Sequence, residues 1–375
     1  MKQFHHHGDI ERKIILILRI LKESREPLGA RIIARRMQDE GVLLSERTVR
    51  YHLRIMDERG LTHLVGRQDG RIITDKGIAE IADAMVQDKV GLAISRIEIM
   101  AYKTTFNPEN GQGLLPVNIS FFPQHLFKDA LKVMGPAFEA GLAVSNLVAV
   151  AGDNERLGDA VVPAGCIGLA TVCSLIVNGI LLKAGIPMDS KFGGIIQMKN
   201  KEPLRFVELI HYSGSSLDPS EAFIRAEMTS VQKVIVKGEG NILANFREIP
   251  ALCRPLVEEL IGKLRKFDIG GVISMGEVSE PVCQVHVDLN KVGMILIGGL
   301  NPVACAQEAG IKAENRGMAM LMDYRELKPF ASVSKFWTGS KGKETGKKKV
   351  KNKKVLLKEN IFKGDKNEFK KTECE

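Results

Sequence analysis

The stretch Leu44–Thr62, LSERTVRYHLRIMDERGLT, decides the fold of the N-terminal part of this chain. Ser45 is a natural helix N-cap, because its hydroxyl can accept a backbone N–H of the first helical turn. Val49, Leu53 and Met56 recur at helical spacing and make one apolar face. The stretch therefore predicts a short helix with one buried side.

The opposite side of this helix is rich in arginine. The helix ends at Gly60, a residue that suits the left-handed position after a helix. A short helix with an apolar back and an Arg-rich front fits the DNA major groove, where Arg can donate two hydrogen bonds to guanine. The alternative is an amphipathic surface helix whose basic side is solvated. The residues expected to meet DNA from this helix are Ser45, Arg47, Thr48, Arg50, Tyr51 and Arg54.

The flanking sequence favours DNA binding. Two amphipathic helices are predicted upstream, on either side of Pro27, with Ile14, Ile17, Leu18 and Leu21 inward in the first and Ile33 and Met37 inward in the second. Two short β runs, Leu61–Val65 and Arg71–Thr74, follow downstream, and a closing helix begins after Thr74. This order is typical of a winged helix-turn-helix. Arg67 and Arg71 of the wing are expected to reach the DNA backbone or the minor groove.

Length and composition predict three regions in an α+β multidomain protein. The chain has 375 residues, of which 44% are hydrophobic, so a large core can form. We expect a winged helix-turn-helix domain at 1–90, a ligand-responsive and dimerising α/β regulatory domain at 91–335 starting with β structure at Ile94–Tyr102, and a basic tail at 336–375. From Lys341 to Glu375 there are 13 Lys against 6 acidic residues. We predict that this Lys-rich tail is disordered, because it cannot bury enough apolar surface.

Several classes of function find no support in the sequence. The six Cys are scattered without a CxxC pair, so neither a zinc ribbon nor a redox pair is indicated. No signal peptide and no apolar stretch of about 20 residues is visible, so a cytoplasmic protein without a membrane partner is expected. Common enzyme signatures for phosphate, metal or nucleophile chemistry are not found. We therefore expect no catalytic residues, metal site or cofactor.

The regulatory part contains an internal pseudo-duplication. The stretch Gly165–Phe206 resembles Asn290–Phe330, with KAGI at Lys183 matching EAGI at Glu308 and Gly168 matching Gly293, both 125 residues apart. Each half reads as an apolar segment containing Gly, a helix that ends at AGI, and a strand. Two such halves predict a pseudo-symmetric domain with a groove or pocket between them.

Glycines at a predicted strand-to-helix junction, Gly298–Pro302, suggest a site for a small anion. Backbone N–H groups at a helix N-terminus attract anions, and Lys or Arg adds charge-assisted hydrogen bonds. A similar role is expected near Gly165 in the first half. Each glycine could equally mark a tight turn or close packing. The residues expected to bind a small dicarboxylate are Gly165, Cys166, Ser190, Lys191, Gly298, Gly299, Asn301 and Arg316.

The chain resembles the archaeal nitrogen repressor family, NrpR. The residues that carry the resemblance are LSERTVRYHLRIMDERGL, VVPAGCIGLATVCSLIVNGILLKAGIP, GGVISMGE and VGMILIGGLNPVACAQEAGI, within about Asp9–Phe330. The resemblance implies a homodimeric repressor of nitrogen-assimilation genes, bound to palindromic operators in double-stranded DNA and released by 2-oxoglutarate. Many members carry two copies of the regulatory domain. This chain has one, so it resembles the split form, which a companion protein of regulatory domains completes. Two other functions remain open: an enzyme acting on a small metabolite, or an assembly module that needs a partner to bind DNA.

Overall fold

The computed structural model describes residues 2–24, 26–66, 70–83 and 91–339 of the chain. Arg67, at the predicted tip of the wing, and the Lys-rich tail from residue 340 onward lie outside the described residues. Predictions for these two segments therefore stay predictions.

The N-terminal domain is a winged helix. Its elements are α1 (Lys2–Glu23), α2 (Ala30–Asp39), α3 (Glu46–Glu58), β1 (Thr62–Gly66), β2 (Gly70–Ile73) and α4 (Asp75–Asp83). β1 and β2 pair antiparallel as the wing, and Leu28 adds one further bridge to Arg71. This order confirms the helix, helix, recognition helix and wing expected from the sequence.

The apolar spacing predicted the core of this domain correctly. Ile17, Ile33 and Leu53, from three different helices, are each 0% exposed and belong to one cluster. Ser45 caps α3 as expected, because its hydroxyl accepts the Thr48 N–H at 3.1 Å. Together these contacts fix the axis of α3 against α1 and α2.

The segment after residue 90 differs from the sequence-based expectation. Ile94–Tyr102 was expected to begin a β-rich body, but it lies within helix α5 (Leu92–Lys103). Ala93, Ile97 and Met100 are buried, at the spacing of three or four residues that places side chains on one helix face. The three Ile residues of the segment favoured a strand, and burial of one helical face overrode that preference.

Two five-stranded antiparallel sheets form the rest of the body, together with their helices. The helices that follow α5 are α6 (Phe127–Glu139), α7 (Leu175–Lys183), α8 (Pro219–Arg225), α9 (Val231–Lys237), α10 (Arg254–Lys266), α11 (Asn301–Glu308) and α12 (Phe330–Thr338). The strands are β3 (Leu114–Pro123), β4 (Leu147–Ala151), β5 (Arg156–Leu157), β6 (Ala160–Val161), β7 (Cys166–Val172), β8 (Asp189–Lys199), β9 (Glu202–His211), β10 (Gly240–Pro250), β11 (Val272–Val278), β12 (Lys291–Ile297), β13 (Glu314–Asp323) and β14 (Lys328–Pro329).

The two halves of the body repeat the same order of elements. The series β3, α6, β4, β7, α7, β8 in the first half corresponds to β10, α10, β11, β12, α11, β13 in the second. Phe127 and Arg254 begin equivalent helices 127 residues apart, and Cys166 and Lys291 begin equivalent strands 125 residues apart. The element order thus agrees with the duplication predicted from the sequence.

The halves exchange their last strands. The sheet orders are β13-β3-β7-β4-β14 and β11-β12-β10-β8-β9, so β8 of the first half pairs with β10 and β13 of the second half pairs with β3. All the pairings in both sheets are antiparallel, which corrects the expectation of an α/β regulatory domain. Because each sheet contains strands from both halves, the halves form one body.

The body ends later than predicted. Helix α12 runs to Thr338, three residues beyond the boundary expected at residue 335. The ring of Trp337 contacts the ring of Phe127 in α6, with 5.3 Å between centroids. This aromatic contact holds the last turn of α12 against the body.

Candidate nucleic-acid interface and polar pocket between the halves

The outer face of α3 is basic and open to solvent. Arg47, Arg50, Tyr51 and Arg54 are exposed, whereas the other face of the helix is packed inside the domain. The Arg50 and Arg54 side chains are 65% and 80% exposed. The guanidinium groups can therefore reach a duplex without rearrangement of the domain.

Glutamates on the same helix accompany two of these arginines. Arg50 pairs with Glu46, and Arg54 pairs with Glu58 at 2.9 Å, in both cases four residues apart. Ion pairs of this exposed kind contribute less than about 1 kcal/mol. DNA phosphates or guanine edges can replace these partners at small cost.

Buried or half-buried ion pairs anchor α3 and the wing. Arg59, after α3, bonds Glu11 of α1 and Glu80 of α4, both at 3.1 Å. Arg71 of β2 donates to Asp57 at 2.7 Å, and its side chain is 20% exposed. Arg71 thus has an intramolecular partner that holds the wing on α3, whereas the sequence analysis assigned it to DNA.

The glycine junction expected to bind an anion is tightly packed. A Cβ on Gly298 would lie 2.5 Å from the Leu243 side chain, so glycine is required here for close approach. Asn301 is 0% exposed, and its amide bonds both the N–H and the carbonyl of Leu243, at 2.8 and 3.0 Å. The side chain of Asn301 therefore holds α11 on β10.

Two further predicted ligand residues have partners inside the protein. Ser190 accepts a hydrogen bond from Asn178 at 3.0 Å. The Lys191 ammonium lies 2.8–3.1 Å from the carboxylates of Asp189, Glu248 and Asp288, so its charge is already neutralised. The Lys191 charge is thus already partnered, and the Ser190 hydroxyl already accepts one hydrogen bond.

The remaining predicted ligand residues do not form one site. Gly165 and Cys166 form a turn that starts β7, and not a junction between strand and helix as expected. The other end of this seven-residue strand, at Val172, is about 20 Å away from Cys166. Arg316 bonds Glu314 at 2.8 Å and lies over the Phe121 ring. The role predicted for these residues in binding a dicarboxylate stays a prediction.

A different set of polar side chains meets between the two halves. Asn118 of β3 and Asn245 of β10 occupy equivalent positions, 127 residues apart, and both line a small cavity of about 20 Å³. Gly299 is the one residue of the predicted ligand set among its lining residues. The full lining is Asn118, Cys173, Ser174, Leu175, Tyr212, Asp218, Ser220, Asn245, Arg247, Gly299, Leu300 and Met318, which we call the inter-half pocket.

Arg247 is the unusual member of the inter-half pocket. It is 1% exposed, and its Nε and Nη1 atoms have no hydrogen-bond partner among the residues that the structure describes. Its guanidinium lies over the Tyr212 ring, with 5.5 Å from Cζ to the centroid. Because arginine stays protonated at any physiological pH, this is a buried positive charge with open donors.

The described hydrogen bonds around Arg247 leave its Nε and Nη1 donors without an acceptor. The Tyr212 hydroxyl donates to Asn245, whose amide nitrogen donates to Ser174 at 3.2 Å. The pKa of the Asp218 carboxyl is raised because burial disfavours its charged form, and its Oδ1 accepts the Ser220 N–H. Asp218 is therefore a poor permanent counter-ion for the pocket.

A second carboxyl group lies just outside this pocket. Burial and the neighbouring Asp218 raise the pKa of Glu221 to about 7, and Glu221 accepts the Gly317 N–H at 2.6 Å. Asp218, Glu221 and Gly317 also line a wider cleft of about 600 Å³, which includes Ile15 and Arg19 of the winged helix. The inter-half pocket and the cleft between domains therefore share a wall.

Helix α5 connects this wall to the winged helix. Its residues Ala93 and Ile97 belong to a buried cluster with Tyr212 and Met318 of the inter-half pocket. At its other end Lys103 pairs with Asp39 of α2, at 2.9 Å. A displacement at the pocket can thus reach the DNA-binding domain through one helix.

The sequence contained a signal for this pocket that the residue patterns did not isolate. Aligning the halves by their equivalent prolines, Pro123 and Pro250, pairs Asn118 with Asn245 and Ser120 with Arg247. Polar residues at the same positions of two otherwise apolar strands mark a shared inner face. Only the exchange of strands shows that the two faces meet.

The fold and the exposed α3 define the class: a winged-helix DNA-binding regulator with an attached regulatory body. Residues 90–329 match the family described as NrpR regulatory domains NRD1 and 2, and residues 15–81 match the ribonuclease R winged-helix domain. The chain belongs to the NrpR family of nitrogen regulators. It is thus a transcription regulator, as the resemblance implied.

The relatives differ in how much of their own length this chain covers. The chain is 42% identical over 319 residues to the global nitrogen regulator NrpRI of Methanosarcina mazei, covering 85% of this chain and 98% of that protein. It is 32% and 35% identical to the global nitrogen regulators NrpR of Methanococcus maripaludis and Methanocaldococcus jannaschii, with 83% and 79% of this chain covered. The matches cover only 54% and 51% of those two proteins.

A solved structure is also similar. A nitrogen repressor-like protein from Methanococcus jannaschii superposes with a TM-score of 0.54 and 27% identity, over 64% of this chain and 98% of that one. The named curated relatives are nitrogen regulators. Among the described helices, none is both long and apolar enough to cross a membrane.

The Asn301 contacts predict a stability effect. Asn301→Ala leaves the buried N–H of Leu243 unsatisfied and removes one of the two donors to its carbonyl, which keeps the Gly298 N–H, so the free energy of unfolding should fall by about 1–3 kcal/mol. Urea denaturation of wild type and of Asn301→Ala measures this difference in the free energy of unfolding. Lys312→Ala, an exposed change just after α11, is the control and should be neutral. Equal stability of Asn301→Ala and wild type would contradict the structural role.

The environment of Glu221 predicts a pH dependence. Its pKa is about 7 in the folded protein and 4.5 ordinarily, so the folded state binds the proton more tightly. The contribution is stabilising at low pH and is lost as the pH rises from about 4.5 to about 7. The Tm of Glu221→Gln should therefore exceed that of wild type most at pH 8. A Tm difference that does not change between pH 5 and pH 8 would refute this.

Proposed function

We propose that the chain is a repressor of nitrogen-assimilation genes that binds operator DNA through α3. The observation that carries this proposal is the exposed row of Arg47, Arg50 and Arg54 on a helix braced by the winged-helix core. The helix presents donors to guanine, and Ser45 and Thr48 at its N-terminus lie where a phosphate is favoured. Membership of a family of nitrogen regulators supports nitrogen-assimilation genes as its targets.

The operator is a palindrome, and the repressor is a homodimer. A two-fold symmetric protein places two recognition helices one DNA turn apart, about 34–36 Å, so that each reads one half-site. The two relatives of which this chain covers only 54% and 51% support a further partner, a companion protein made of regulatory domains. A companion would extend the assembly without replacing α3 as the DNA reader.

The inducer is 2-oxoglutarate, the small dicarboxylate that the family resemblance implies. Its binding favours a dimer geometry in which the recognition helices no longer match the half-site spacing. A shift of that equilibrium by a factor of 100 needs about 2.7 kcal/mol of differential affinity, which a few charge-assisted hydrogen bonds can supply.

Substitutions on α3 test DNA recognition. Arg50→Ala and Arg54→Ala should each weaken operator binding by about 1–3 kcal/mol if the side chain reads a base. Arg325→Ala is a matched control, because Arg325 is an exposed arginine of the body that pairs with Asp323. Fluorescence anisotropy with operator and scrambled DNA gives the affinities. Unchanged affinity and sequence preference in both α3 variants would reject the recognition-helix assignment.

A gel shift separates the proposed function from its alternatives. The purified chain should retard palindromic promoter DNA, and millimolar 2-oxoglutarate should release it. Retardation only after a regulatory-domain companion is added would indicate an assembly module instead. Consumption of 2-oxoglutarate during the incubation, followed by chromatography, would indicate an enzyme.

A further inference from the structure

We propose that three exposed leucines on the second half of the body form the surface through which two copies of this chain associate. Leu252 lies in the turn just before α10, Leu256 in the first turn of α10, and Leu289 in the turn before β12, and we call these three residues the leucine patch. The proposal rests on the homodimer of the proposed function and names the contact that forms it. Its support comes from exposure, from the comparison of the two halves, and from the charges at the border of the patch.

The leucine patch leaves large aliphatic side chains in contact with water. Leu252 and Leu289 are 96% and 80% exposed, and Leu256 is 41% exposed. Burial of apolar surface is favourable roughly in proportion to the area removed from water. The folded single chain does not use this surface, so its burial against a second protein surface would be favourable.

Backbone contacts place the three leucines next to one another. The Ala251 N–H donates to the Asn290 carbonyl at 2.9 Å, which holds the turn of Leu252 against the turn of Leu289. Leu256 follows Leu252 by about one helical turn. Grouped apolar side chains with a polar border mark a contact with another protein, whereas a single exposed leucine needs no explanation.

The first half of the body contains the same backbone at the equivalent place. The Gln124 N–H donates to the Gly165 carbonyl at 2.9 Å, as the Ala251 N–H does to the Asn290 carbonyl. Gly165 and Asn290 also share a left-handed backbone conformation, with φ of 71° and 59°. The residues of the two turns therefore correspond one to one.

The side chains at these equivalent positions differ between the halves. Each leucine of the patch corresponds to an exposed residue that is polar or small, in the order His125, Asp129 and Ala164. The fold forms this surface in the first half without any leucine. Exposed leucines that folding does not require favour a role in binding another molecule.

The charged groups at the border of the patch are paired within the chain. Arg254 pairs with Glu258 and Glu277 at 3.0 and 2.7 Å, and Lys263 pairs with Glu259 at 2.7 Å. Nucleic acids and anionic lipid surfaces attract an excess of positive charge, which this balanced border does not offer. The surface therefore complements another apolar protein surface whose border is equally balanced.

A second copy of this chain supplies such a surface. In a two-fold symmetric dimer the same residues lie on both sides of the contact, so the leucines of one copy meet those of the other. A head-to-tail contact with the first half would instead set the leucines against His125 and Asp129, whose desolvation is unfavourable. The comparison of the halves thus favours a contact of patch with patch.

Sedimentation equilibrium of the full chain tests this contact. Leu252→His and Leu256→Asp introduce the side chains that the first half carries at the same positions, so folding should be unaffected. Each should raise the dissociation constant of the dimer at least about tenfold, because apolar burial is lost and a polar group is desolvated. Val236→Asp is the matched control, since Val236 is 80% exposed on α9, before β10, whereas the patch follows the other end of that strand.

Cross-linking gives a second measurement if the variants fail to fold. Leu252→p-benzoylphenylalanine should cross-link two copies of the chain on irradiation, and mass spectrometry should place the attachment on α10 or on the turn of Leu289 in the second copy. The same group at Val236 should give no such product. Attachment to a different surface of the second copy would overturn the proposal.

Comparison of association with DNA binding keeps this proposal separate from the proposed function. If wild type retards operator DNA and both patch variants dimerise as tightly as wild type, the repressor function stands and the patch is wrong. If wild type is monomeric at the concentration at which it retards operator DNA, the proposal is also overturned, even if the patch captures another protein. Failure of wild type to retard operator DNA would instead reject the proposed function, whatever its state of association.

Discussion

The exchange of β8 and β13 between the two halves is the constraint on which the rest of the body depends. Each sheet is completed by a strand from the other half, so neither half can form its sheet alone. The exchange brings β3 and β10 to equivalent places around one interior, and their polar residues Asn118 and Asn245 line the same small cavity. A repeated sequence thereby yields a single shared site at the junction of its copies.

That junction also holds several uncompensated features. Elsewhere the body has a large apolar core and paired charges, such as Lys191 and Lys291 with the carboxylates of Asp189, Glu248 and Asp288. Near Arg247 the chain retains a buried charge with two open donors and a positive-φ residue at Met318. Such costs persist where ligands bind or switches operate, since the surrounding structure must over-determine them.

In the winged helix, by contrast, the charged groups that matter for function lie on the surface. Its interior is simple and apolar, and its chemistry lies on the surface of α3, where arginines have only weak partners. DNA binding needs exposed positive charge on a rigid support, which α3 provides. Helix α5 connects this domain to the inter-half pocket, because one of its faces packs on the pocket and its C-terminal end pairs with α2.

The sequence by itself determined the winged helix, because local signals decide that domain. Helical spacing, the Ser45 cap and Gly60 after the helix involve residues within a few turns of one another. It also determined the duplication, which is visible as matching segments. Only the tertiary structure decided which strands pair, that Asn301 and Lys191 bond partners within the protein, and that Arg247 lies buried with its Nε and Nη1 donors open. Those facts depend on contacts between residues tens of positions apart, and no local pattern specifies them.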